Sequence, residues 1–161
     1  MVLFVNRPFE DALTFATHGL SDHKMTMPDG RDVRLELLFA CWRDQDRGAV
    51  ASFLGSFADS IVGRHKPPLR GEVVGPGETI LEGTSMNSVY VCLPAVFEKT
   101  LAVYPETTPS TVVVWIIPIY RQEAEYVKTH GWKAFEDLLE KTDPDLLDVT
   151  RFPVVDKGHG G

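Results

Sequence analysis

The chain has 161 residues, 43% hydrophobic and 24% charged, with a net charge of −7 and a pI near 5.2. That length suits one domain able to bury its own core without a metal or disulfide staple, and the ordinary composition argues against disorder. The acid excess excludes the usual nucleic-acid binder, which needs clustered Lys and Arg; the densest basic stretch is the short Arg64-His65-Lys66 with Arg70.

In chain order, Leu13 to His18 has strand composition and closes at Gly19, with Leu13, Phe15 and Thr17 on one face and Thr14, Ala16 and His18 on the other. Met27-Pro28-Asp29-Gly30 reads as a turn, and Val33 to Ala40 as a second strand able to pair with the first. On that strand Leu35, Leu37 and Phe39 point one way while Arg34 and Glu36 share the opposite face. Val50, Phe53, Leu54, Phe57, Ala58, Ile61 and Val62 form one apolar stripe at helical spacing. Asp44 or Asp46 is expected to cap that helix and Gly63 to end it. Gly71 to Gly77 reads as a loop, followed by short strands at Thr79–Leu81 and Ser88–Leu93.

Residues 105–110 form a polar loop before the unbroken β-branched and aromatic run Thr111–Ile117, predicted to be a central strand covered on both faces and stopped by Pro118. Arg121 to Thr129 reads as a helix. A second helix follows Gly131, carrying Trp132, Phe135, Leu138 and Leu139, and ends at Asp143-Pro144. Leu146-Leu147 adds one more packed turn, and residues 152–161 are expected to fray. The order predicts one α+β domain with a mainly antiparallel or mixed sheet packed on helices.

Tests for chemistry are mostly negative. The sequence holds no P-loop, dinucleotide fingerprint, His-Glu-x-x-His pair or nucleophile elbow. No run approaches the ~20 apolar residues of a membrane span. The amino terminus lacks a basic region followed by a sustained apolar stretch, so a cytosolic location is expected. Cys41 and Cys92 sit beside apolar residues and read as buried thiols, though a bridge between them stays open at this point.

His18, Asp22 and His23 are the one conceivable metal set, with Cys41 as a fourth ligand; their spacing suits an ordinary turn better. Ser21 precedes Asp22 and His23 directly, but adjacency does not make a triad. Glu123 starts a helix, where the dipole alone favours a carboxylate, and an ion-pair lattice with Arg34 and Glu36 is the alternative. Neither a cofactor nor a catalytic residue is expected.

Thr14-Phe15-Ala16-Thr17-His18-Gly19-Leu20-Ser21, then Met25, then Arg34-Leu35-Glu36-Leu37 resemble the opening of suppressor-of-fused-like domains. The amphipathic helix, the Gly-rich loop, the Gly-Glu-Thr-Ile entry and Ile117-Pro118-Ile119-Tyr120 with Glu123 follow in that family's order over about residues 10–151. The resemblance implies an α+β domain without recognised catalytic residues, similar to stand-alone bacterial members thought to act as immunity proteins beside polymorphic toxins. It carries His18, Gly19, Leu20, Ser21, Arg34, Glu36, Pro118 and Glu123 as a fold signature, whose polar members could also touch a partner. The expected partner is a protein, with a toxin as the leading candidate, and no nucleic acid and no membrane. A small metal-dependent or acid–base enzyme using His18, His23, Glu36 and Glu123, and an adaptor for a transcription factor, are the competing readings.

Overall fold

Thr111–Ile119 forms β8, the centre of an eight-stranded mixed sheet in the computed structural model, which describes residues 1–156. Around it stand β1 (Val2–Val5), β2 (Ala12–Ala16), β3 (Met25–Thr26), β4 (Asp32–Trp42), β5 (Val73–Val74), β6 (Ser88–Cys92) and β7 (Val103–Tyr104). The main order is β1-β2-β4-β8-β6-β5, with β3 added to β4 and β7 to β8. The β4–β8 pair is parallel, Arg34 opposite Thr111 through Leu38 opposite Trp115, whereas the other pairs are antiparallel. The predicted pairing of the first two strands is the β2–β4 ladder, while the Asp29-Gly30 turn joins β3 to β4.

Alternation along β4 and β8 builds two cores. Leu35, Leu37, Phe39 and Cys41 face α1 (Arg47–Arg64), meeting Val50, Leu54, Phe57 and Ile61. Leu38, Trp115, Ile117 and Ile119 face α2 (Arg121–His130) and α3 (Trp132–Thr142), meeting Ala124, Val127 and Phe135. β8 is therefore covered on both sides, which is why it tolerates no polar residue between Val112 and Ile119. Each fully buried Leu, Ile or Phe contributes roughly 1.5–3 kcal/mol of burial free energy.

Several local expectations are corrected. Pro118 does not end the central strand: it lies opposite Val89 and β8 runs on to Ile119. The Asn87 amide donates to the Ile119 carbonyl, so Ile119 faces β6 and Pro118 faces the other way. There the register with β4 has already ended at Trp115, and the missing proline N–H leaves no ladder bond unmade. Thr79–Leu81 is not a strand. Its Leu81 is buried under a loop whose Ile80 amide bonds to Met86, while the expected loop at 71–77 contains β5. Asp46, not Asp44, caps α1 by accepting from the Ala49 amide at 2.6 Å, and the helix passes Gly63 to end on His65 in the left-handed region. Residues 152–155 pack against α2, as described below; 157–161 lie outside the described residues.

Gly71 sits where the loop before β5 passes between β6 and the start of α3. Its φ is +84°, its amide holds the Val91 carbonyl at 2.7 Å, and a Cβ there would overlap the Trp132 side chain at the start of α3. Pinned to β6, the loop has little room to retreat. Gly71→Ala is expected to cost about 1–2 kcal/mol in urea unfolding, from overlap added to backbone strain.

Candidate functional site

Gly19, Leu20, Ser21, Arg34 and Glu36 gather at one polar cluster and Glu123 at a second, while His18 and Pro118 join neither. At the first, Gly19 (φ +105°) turns the chain out of β2 into a 3₁₀ turn over Leu20–Asp22, which aims its backbone donors at β4. Glu36 Oε1 accepts from the Gly19 amide at 3.0 Å, the Ser21 amide at 3.1 Å and the Ser21 hydroxyl at 2.7 Å. Its Oε2 accepts from the Thr17 hydroxyl, and Thr17 Oγ1 accepts in turn from the Leu37 amide at 2.8 Å. Leu20 is buried in the α1-side core and plugs the turn. Arg34 closes the cluster, its Nη1 donating to the Ser21 carbonyl at 2.6 Å and its Nε to the Thr108 carbonyl at 3.4 Å. Burial pushes the Glu36 carboxyl up, but the donors from Thr17, Ser21 and Gly19 more than offset it and hold the group below the ordinary glutamate range.

At the second cluster Glu123 is fully buried near the start of α2. Its Oε2 accepts from the Tyr120 amide at 2.9 Å. Arg151 reaches both carboxylate oxygens, Nη1 to Oε1 at 2.7 Å and Nη2 to Oε2 at 2.9 Å, with its own side chain 5% exposed. The Val154 amide adds a third partner to Oε1 at 2.9 Å, and the Tyr120 hydroxyl donates to the Arg151 carbonyl. This fork is the geometry that makes Arg–carboxylate pairs strong and directional. It clamps residues 151–155 onto α2, where Gln122 also donates to the Val155 carbonyl at 3.3 Å.

Between the clusters, one face of the sheet is only half covered. Phe4 pairs opposite Thr14, so both project to the side that carries Leu38 and Trp115. Over this half lie Val96, Phe97 and, on a short 3₁₀ turn, Leu101 instead of an α-helix, leaving a groove of about 490 Å³ with Phe4 and Leu101 exposed on its walls. Glu36 stands on the same face, two residues along β4 from Leu38. Such a surface can seat a partner's side chains.

The profile of the Suppressor of fused protein (SUFU) family matches residues 1–152. The chain belongs to the SUFU family. Among solved structures, this SUFU chain is similar to a SUFU homolog from Neisseria gonorrhoeae FA 1090, with a TM-score of 0.72 and 16% identity over 92% of this chain and 73% of that one. Drosophila Suppressor of Fused gives a TM-score of 0.69 at 12% identity over 89% of this chain and 39% of that one. The Sufu–Fu complex gives 0.67 at 11% identity over 92% and 72%. At these identities the likeness establishes the α+β fold. Immunity protein YqcF of Bacillus subtilis (strain 168) is 24% identical over 152 residues, 93% of this chain and 78% of its own length.

Within this SUFU domain the expected lattice of Arg34, Glu36 and Glu123 does not form. Glu36 lies opposite Val113 near the start of β8, while Glu123 follows its far end, and each carboxylate is held by its own donors. Arg151 is the true partner of Glu123. Its signal in the sequence is that it alone is basic among residues 142–156, a stretch with four aspartates. Thr17 and Tyr120 were also absent from the expected set; only their places beside Gly19 and Pro118 hinted at them. His18, Asp22 and His23 are exposed, and among the described residues no three His, Cys, Asp or Glu side chains are grouped to hold a metal. Among the described residues, no helix is long and apolar enough to cross a membrane.

The two cysteines resolve the bridge left open by the sequence. Cys41 belongs to the core on the α1 side and Cys92 to the core on the opposite face, both buried and free. Burial, with Asp44 adding to it, pushes the Cys41 thiol up to about 12, and burial likewise raises Cys92. Neither is expected to react with a thiol reagent in the native protein at neutral pH, and both are expected to react on unfolding. Rapid native labelling of either would contradict this placement.

Proposed function

We propose that this SUFU domain acts by binding a protein, as an immunity protein that neutralises a toxin by covering it. The observation that carries the reading is the similarity to an immunity protein along 93% of the chain. The geometry supports it: the carboxylates that an acid–base enzyme would need, Glu36 and Glu123, are separated and spent on internal donors. Occlusion requires a complementary surface and no reaction, and the net charge of −7 suits a cationic toxin by raising the rate of encounter. The site of action is then the cytosol, where a toxin from a polymorphic system would be met.

The test is co-expression with toxin-like genes encoded beside this one. Restored growth together with a stoichiometric complex in gel filtration is the expected result. Toxicity unchanged for every such neighbour, with no complex formed, would sink the immunity reading.

A further inference from the structure

On the helical side of the sheet a second groove, of about 310 Å³, runs between β6 and α3. Its floor is Cys92, Trp115 and Ile117, and its walls are Leu139, Leu146 and the 40%-exposed Leu93. One corner is already neutralised. Glu136 holds Arg70 through Nη2 at 2.6 Å and Nε at 3.3 Å, and accepts the Tyr90 hydroxyl at 3.0 Å. Burial and the neighbouring carboxylate raise Tyr90, keeping it a donor, and the Arg70 guanidinium rests 4.6 Å above the Trp132 ring centroid.

The other charge on the rim is an unspent carboxylate. Glu140 lines the groove, is exposed, and has no ion-pair partner among the described residues. From Glu136 to Asp148 there are six carboxylates against Lys141; Glu136 is held by Arg70 and Asp137 by Lys133, and the four that remain leave this stretch net negative. An apolar floor inside a negative field discriminates sharply. Nucleic acid and anionic lipid surfaces are repelled, and a neutral apolar segment gains burial only. A segment with apolar side chains beside Lys or Arg gains both terms.

We propose that the α3 groove is the docking surface for a basic, amphipathic segment of the protein partner, an inference that rests on the binding role given above and locates it. The experiment titrates the full chain with three short synthetic peptides, Lys/Leu, Lys/Ser and Glu/Leu in matched patterns, by calorimetry and by NMR amide shifts. The Lys/Leu peptide is expected to bind about tenfold more tightly than either control, with shifts at residues 92–95 and 136–148. Glu140→Lys and Leu93→Asp, both at exposed positions, are each expected to lose about tenfold while unfolding thermally like the wild type. Equal binding of Lys/Leu and Lys/Ser, or shifts confined to other surfaces, would overturn the proposal. So would a captured partner that binds Glu140→Lys as tightly as wild type, and that result leaves the immunity role standing. The expected peptide pattern in a protein that protects against no toxin would uphold the groove and remove the immunity role alone.

Discussion

Arg151→Ala is expected to destabilise the fold by about 3–5 kcal/mol, because it leaves Glu123 as a buried charge with no cation. The pair is almost wholly removed from water, with side-chain exposures of 5% and 0%, so solvent cannot replace the lost partner. The remaining donors, the Tyr120 and Val154 amides, supply hydrogen bonds but no counter-charge. Urea unfolding followed by tryptophan fluorescence reads the effect as a lower midpoint at unchanged slope. Replacing both members, as in Glu123→Leu with Arg151→Met, is expected to recover much of the loss, since desolvating two charges is itself costly. A single variant within about 1 kcal/mol of wild type would show that the clamp is not what the burial indicates.

Glu36→Ala is expected to cost about 2–3 kcal/mol, less than the Arg151 change because this carboxylate is only partly buried. The loss falls on the Gly19 and Ser21 amides and the Thr17 and Ser21 hydroxyls, which all converge on one group. The effect depends on pH in a definite direction. The folded carboxyl lies below its unfolded value, so its contribution is complete above the ordinary glutamate range and disappears as pH falls through the lower folded value. Wild type and Glu36→Ala are therefore expected to differ most near neutrality and to converge in acid. A gap that widens on acidification would mean that the carboxylate is not stabilised by its neighbours. Exchange of the Gly19 and Ser21 amides gives a local readout, expected to quicken in the variant more than exchange in β8.

Patterns with a short period were legible in the sequence. The α1 stripe, the alternation on β4 and the unbroken run of β8 each announce a face or two faces to bury, and each is used that way. Strands of two or four residues carry too few positions for alternation to register, which is why β1, β3, β5 and β7 escaped notice. Pro118 misled because the rule against proline in a strand assumes neighbours on both sides along its whole length, and here the register with β4 ends first. At the clusters, the turn around Gly19 was legible from its own residues, although its bonds to Glu36 were not foreseen. The Glu123–Arg151 fork was not, since it joins a helix start to a residue beyond the next helix. The sequence placed Glu123 at a helix start, but the cation offered for it, Arg34, is not the one it meets.

The parallel join of β4 to β8 sets the order in which a nascent chain can complete itself. Arg34 faces Thr111, so vectorial synthesis finishes β1, β2 and β4 long before the ribosome delivers the strand that lies between β4 and β6. Until then the inner border of β4 keeps its peptide groups unpaired beside Leu35, Leu37 and Phe39, a ready seam for a strand from another molecule. Closing so long a loop is intrinsically slow. That edge of β4 is closed only once the chain through Ile119 has emerged and β8 has paired with it.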